Sequence, residues 1–141
     1  MLFRFGWVFA LTCLLSMAHR QELAPNCCES ESEKLSSHQV KALLQKTEPI
    51  HLPGTVDKLH IKGTVVMTLA VDDKGEVNCV QIISGHPLII GTTIDSVRQW
   101  KFRPYVVRGL RKGFCGRIAI SYQASEHGVR YRVNEAPQVH P

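Results

Sequence analysis

In "GTVVMTLAVDDKGEVNCVQIIS", residues 63–84, Val65, Met67, Leu69 and Val71 alternate with Thr64, Val66, Thr68 and Ala70. A period of two sends one set into a core and the other to the opposite face, so this stretch is a half-buried strand. "DDKG" at 72–75 is a turn in which Gly75 can take positive φ, and a second β-branched run over 77–83 returns beside the first. The two runs predict a hairpin. After "SGHP", residues 84–87, the period changes: in "LIIGTTIDSVRQWKF" Ile90, Ile94, Val97 and Lys101 fall on one helical stripe flanked by Leu88 and Trp100. Gly91, Thr92 and Thr93 have poor helix propensity, so packing must hold this helix. Pro104 is expected to end it. A basic loop, "YVVRGLRKG", then leads into "FCGRIAISY", where Phe114, Gly116, Ile118, Ile120 and Tyr122 alternate with Cys115, Arg117, Ala119, Ser121 and Gln123. This is a third strand.

Flanking segments are less regular. Residues 19–33 are polar and read as a flexible arm, residues 34–45 show the three-to-four spacing of a short amphipathic helix, and two prolines stop it within 47–54. Residues 125–141 read as a polar tail. The order β-β-α-β predicts an α+β domain, a small antiparallel three-stranded sheet packed on one helix. The third strand runs parallel to the second, so it must lie beside the first, giving the order 2-1-3.

A chain of 141 residues, 44% apolar and 21% charged, is enough for one modest core. Its formal charge of +5 permits an anionic partner without requiring one. Seven cations and no acid occupy residues 98–117. Three of them, Arg108, Arg111 and Lys112, are candidate contacts to an anionic surface such as lipid headgroups, lipopolysaccharide or peptidoglycan. Cations late in a helix also complement its dipole, by roughly 0.3–1 kcal/mol each. Nucleic acid is not an expected partner, because Trp100 and Phe102 fall on core positions instead of a stacking face.

The first residues set the compartment. Arg4 precedes an apolar run of about 14 residues, shorter than the roughly 17–20 that span a bilayer, and Ser16 and Ala18 have the spacing of a signal-peptidase site. The segment reads as a secretory signal over residues 1–18, cleaved after Ala18, which sends the domain to the periplasm or outside the cell. An uncleaved membrane anchor is the alternative. Removing the signal removes Cys13 and leaves Cys27, Cys28, Cys79 and Cys115 in an oxidising compartment, where an even count favours disulfides. No Cys/His spacing suits a metal, no motif implies a cofactor, and no catalytic residue is assigned. Asp72 and Asp73 read as turn formers. A pair such as Cys79 with His86 could serve a thiol enzyme as nucleophile and base, with Cys115 the other candidate thiol.

"GTVVMTLAVDDKGEV", "SGHPL", "VRQWKFRP" and the glycine of "RGLRKG", in this order and spacing, resemble the C-terminal domain of the TonB energy-transducer family over about residues 48–124. The resemblance implies a periplasmic, non-catalytic protein-binding domain. Its partner would be a TonB-dependent outer-membrane receptor, whose short TonB box adds to the last strand. By resemblance that edge is residues 114–122, with Phe114, Gly116, Arg117, Ile118, Ala119, Ile120, Ser121 and Tyr122 as its partner-binding positions. Transducers of the usual type also carry an anchor that engages the ExbB and ExbD motor and a long proline-rich segment. Neither is read in this sequence, so coupling to that motor is not expected. An open third-strand edge also permits a strand-exchanged homodimer.

Cys79 on the second strand and Cys115 on the third are roughly 10 Å apart if the first strand separates them, too far for a direct bond. Adjacent Cys27 and Cys28 would then reach one each and strap the arm across the sheet. A vicinal bond, intermolecular bridges and free thiols are the alternatives. Two other functions are carried forward: a basic envelope-binding module acting through residues 98–117, and a thiol enzyme.

Overall fold

The computed structural model describes residues 26–28, 32–51, 60–125 and 128–137. The signal expected at residues 1–18 lies outside them. In chain order the elements are β1 (Glu33–Leu35), α1 (Ser37–Leu43), β2 (Leu44–Lys46), β3 (Lys62–Val71), β4 (Val77–Ser84), α2 (Pro87–Val97), β5 (Lys101–Phe102), β6 (Tyr105–Val107), β7 (Leu110–Lys112), β8 (Phe114–Ser125) and β9 (Gly128–Glu135).

The fold is α+β with two helices, but its main sheet has five strands where three are expected, and α1, expected in the arm, packs on the domain beside α2. β3 lies between β4 and β8, antiparallel to both. The far side of β8 carries two further strands end to end: β1, parallel, opposite Phe114, Cys115 and Gly116, and β9, antiparallel, from Ile118 to Ser125. Both additions come from segments read as arm and tail. In β9, Val129, Tyr131 and Val133 pack against the core and alternate with exposed Arg130 and Arg132. That is a strand pattern in a polar stretch.

The β3–β4 turn shows why its residues are needed. Asp72 Oδ1 accepts the Lys74 and Glu76 N–H groups at 2.9 Å each. Gly75 has φ +88°, and a Cβ there would collide with the Phe102 carbonyl oxygen, so β5 can approach only a glycine. Phe102 N–H closes the contact by donating to Gly75 O at 2.9 Å.

Val65, Met67, Leu69 and Val71 of β3 and Phe114, Ile118 and Ile120 of β8 form one buried face, covered by Val40 of α1, Ile89 and Val97 of α2, and Trp100. α1 starts at a capping box, Ser36 Oγ accepting from Gln39 N–H while Gln39 Oε1 accepts from Ser36 N–H. It is seven residues long and gives way to β1 and β2 at its two sides, shorter than the helix expected over 34–45.

α2 also ends earlier than Pro104 would require. It stops at Val97, and Lys101 and Phe102 are already extended in β5. The cause is Trp100, which is wholly buried and donates from Nε1 to Ser96 Oγ at 3.2 Å and to Glu48 O at 3.3 Å. Ser96 Oγ itself donates to Glu48 O at 2.6 Å. Burying that indole contributes more than two further turns of a helix with poor propensity could.

Candidate functional site

A sheet recruits an extended partner only where a strand edge has unpaired N–H and C=O groups. The edge expected at residues 114–122 is not one. β3 occupies one side of β8 over its whole register, and β1 and β9 occupy the other, leaving Arg117 as the single position between them. Of the positions expected to bind, Phe114, Gly116, Ile118, Ala119, Ile120 and Tyr122 are buried, Ser121 is half-buried and Arg117 alone is exposed. Phe114 is held edge-on by Phe102 and Tyr105, at centroid distances of 5.9 and 6.2 Å. Burial pushes the Tyr122 phenol above its ordinary value of 10.0. Strand β8 is interior because residues 33–35 and 128–135 pair with it, and neither segment carries a strong strand signal.

Two long edges remain open among the described residues, the outer sides of β4 and β9. They differ in chemistry. β4, "VNCVQIIS", is eight residues without a charge or a proline. It leaves Ile83 45% exposed, and Leu88 at the start of α2 is 48% exposed. β9, "GVRYRVNE", carries Arg130, Arg132 and Glu135, all exposed. Charges of this kind blunt an edge against pairing, whereas a β-branched, uncharged edge is competent for it.

The cysteines clamp the chain to the same sheet. Cys27 is bonded to Cys79 and Cys28 to Cys115, each with Cα atoms 5.5 Å apart. Ala70 of β3 pairs with Cys79 on one side and Cys115 on the other, and it packs with the cystines in a small second cluster. A side chain larger than alanine there would meet two covalent bridges. With all four sulfurs bonded, neither Cys79 nor Cys115 is a thiolate, which removes the nucleophile a thiol enzyme would need.

Arg108, Arg111 and Lys112 come together on a different element, the β6–β7 hairpin, whose two-residue tip is Arg108 (φ +50°) and Gly109 (φ +78°). The other cations of 98–117 are dispersed. Lys101 pairs with Glu76 at 2.8 Å, Arg103 donates to the Ala42 carbonyl, and Arg117 lies on the sheet. The segment is therefore not one basic surface. Among the described residues no three His, Cys, Asp or Glu side chains cluster as a metal site would require, and no helix is long and apolar enough to cross a membrane.

Comparison with known proteins agrees with what the sheet suggests. No curated protein matches the sequence. The family model described as Gram-negative bacterial TonB protein C-terminal matches residues 48–123, more than half of the chain and every strand from β3 to the core of β8. A hairpin, a packed helix and a returning strand that carry this match show that the chain belongs to the TonB C-terminal family.

Proposed function

We propose that this chain is a periplasmic capture module that takes an extended segment of an outer-membrane receptor as an added strand on the free edge of β4. Family membership makes it a non-enzymatic protein-interaction domain of the cell envelope associated with transport. The observation that carries the choice of edge is the contrast between β4, uncharged and β-branched, and β9, interrupted by Arg130 and Arg132. Strand addition would satisfy the open backbone groups of β4, and alternate side chains of the incoming strand would meet Ile83 and the start of α2. The signal at residues 1–18 would deliver the protein to that compartment, where the four cysteines oxidise.

One feature favours a second reading. β1 covers the start of β8 with only three paired residues. A partner displacing it would gain the strand that the family resemblance designates. Titration of isotope-labelled, oxidised protein with a synthetic receptor-box peptide separates the two. Capture at β4 shifts the amides of Val77–Ser84 and is lost in Ile83→Lys, a variant expected to melt like the parent. Shifts confined to residues 33–35 and 114–117 would overturn the β4 edge in favour of β1 displacement, and no binding at all would overturn both.

A further inference from the structure

Strand parity gives the sheet a second face, pointing away from the helices. Paired residues share a face, so the positions beside Gln123, Ser121, Ala119, Arg117 and Cys115 of β8 can be read across the register. Lys62 and Arg130 flank Gln123, Thr64 and Arg132 flank Ser121, Val66 and Asn134 flank Ala119, and Lys34 lies beside Cys115. Five cations, Lys34, Lys62, Arg117, Arg130 and Arg132, therefore stand on this face, all exposed. No described carboxylate shares it: Glu33 and Glu135 pair with Phe114 and Ile118 and so have the opposite parity. The ion pairs among the described residues, Lys46–Glu48 and Lys101–Glu76, lie elsewhere.

The cations are ordered. From Arg130 past Arg132 and Arg117 to Lys34 they follow β8 for eight residues, about 26 Å, at intervals of two to four residues, roughly 7–13 Å. Between them is a polar floor already fixed by its own hydrogen bonds. Asn134 Nδ2 donates to Ser121 Oγ at 2.7 Å, and Ser121 Oγ is 3.2 Å from Thr64 Oγ1. Two depressions open on this face. The lining of one, of about 720 Å³, includes Lys62, Arg130 and Arg132 with Tyr122 and Tyr131, and that of the other, of about 410 Å³, includes Lys34 and Arg117 with Asn26 and Cys28 of the disulfide-held arm.

We infer that this face is a binding track for a linear anionic polysaccharide. Its length and repeat suit a polymer with regularly spaced acidic groups, and its hydroxyl and amide floor suits sugar hydroxyls. A bilayer surface is disfavoured because no large apolar side chain stands among the cations: Val66 is half-buried, Ala119 is small, Ala70 lies under the cystines, and exposed Ile83 is at the bulged end of β4, beyond Val66. Single-stranded nucleic acid is disfavoured because the two tyrosines that line the larger depression, Tyr122 and Tyr131, have the parity of the opposite face, Tyr122 buried and Tyr131 stacked on Trp100, and so are not free to stack a base. The track is separate from the β4 edge and from the β6–β7 hairpin, so it does not depend on the function proposed above.

Polygalacturonate, a linear polyuronate, is the probe, with neutral dextran, phosphatidylglycerol vesicles and oligothymidylate beside it. Two triple variants remove the same charge from different places. Lys62→Ser with Arg130→Ser and Arg132→Ser is expected to weaken polyuronate binding by at least about tenfold, and Arg108→Ser with Arg111→Ser and Lys112→Ser by less than about twofold. Thermal melts confirm that both triples are folded. Equal losses in the two triples would reduce the effect to net charge and overturn the track. Absence of polyuronate binding, equal binding of dextran, or a preference for vesicles or oligothymidylate would also overturn it.

Discussion

Val40 of α1 sits on Gly116 of β8 so closely that a Cβ at the glycine would collide with Val40 Cγ2 and lie 2.8 Å from the Leu35 carbonyl oxygen. The strand is thus built to receive a helix and a neighbouring strand at one point. Gly116→Ala is expected to cost about 1–3 kcal/mol through overpacking, read from urea unfolding of the oxidised protein. Val40→Ala in the same chain should recover part of that loss. Strict additivity of the two losses would show that the residues do not share this contact.

The cystines close loops with sequence separations of 52 and 87. In the chain-entropy model each bond stabilises by about 4 kcal/mol, and because the loops overlap the two do not simply add. Cys27→Ser with Cys79→Ala, or Cys28→Ser with Cys115→Ala, should each lower the urea midpoint markedly. Partial reduction followed by alkylation and mass mapping should pair Cys27 with Cys79 and Cys28 with Cys115. Crossed pairing would refute the arrangement.

Glu48 O collects three donors, Ser96 Oγ, Trp100 Nε1 and the Tyr131 hydroxyl, the last at 3.2 Å. It ties α2 and β9 to the segment after β2. Ser96→Ala removes a donor to that carbonyl and an acceptor for the indole, at an expected cost of about 1–2 kcal/mol. Tryptophan emission of the mature protein should report the altered surroundings of Trp100. An unchanged spectrum and midpoint would show that Ser96 does not hold the indole.

Tyr122 supplies a pH dependence. Burial raises its folded-state value above the ordinary 10.0, so the folded protein favours the neutral phenol. The associated stability is fully present below about pH 10 and is lost as pH rises through the higher folded value. Tyr122→Phe should flatten the fall in urea midpoint above pH 10 while leaving the slope at pH 6–8 unchanged. An identical alkaline fall in both proteins would assign it to other groups.

Strands β3 and β8 were legible because each alternates over five or more residues, and β4 because a β-branched run follows the DDKG turn; the family resemblance rests largely on the same region. β9 had a signal as well: Val129, Tyr131 and Val133 alternate with Arg130, Arg132 and Asn134, but the polar flanks at 124–128 and 134–141 conceal it. β1 had none. Three residues cannot show a period, and their position follows from tertiary pairing close to the cystines. The helix stripe misled at Trp100, because a residue three after Val97 satisfies a helical period and a buried loop position equally well. These differences decided the site. An edge read as open at residues 114–122 is closed by the two segments whose local pattern is weakest, and among the described residues the long open edges lie instead on β4 and β9.

The paired cystines also have a mechanical consequence. A load applied to the chain ahead of Asn26 reaches Cys27 and Cys28 first, and from there it passes covalently into β4 and β8, on either side of β3. β1 and α1, which follow the clamp in sequence, lie outside that path. Pulling would therefore not peel the short β1 pairing away residue by residue. It would be borne by the β3–β4 and β3–β8 ladders together, the longest hydrogen-bonded contacts of β3, and reduction of the two bridges would transfer the same load to three residues of β1.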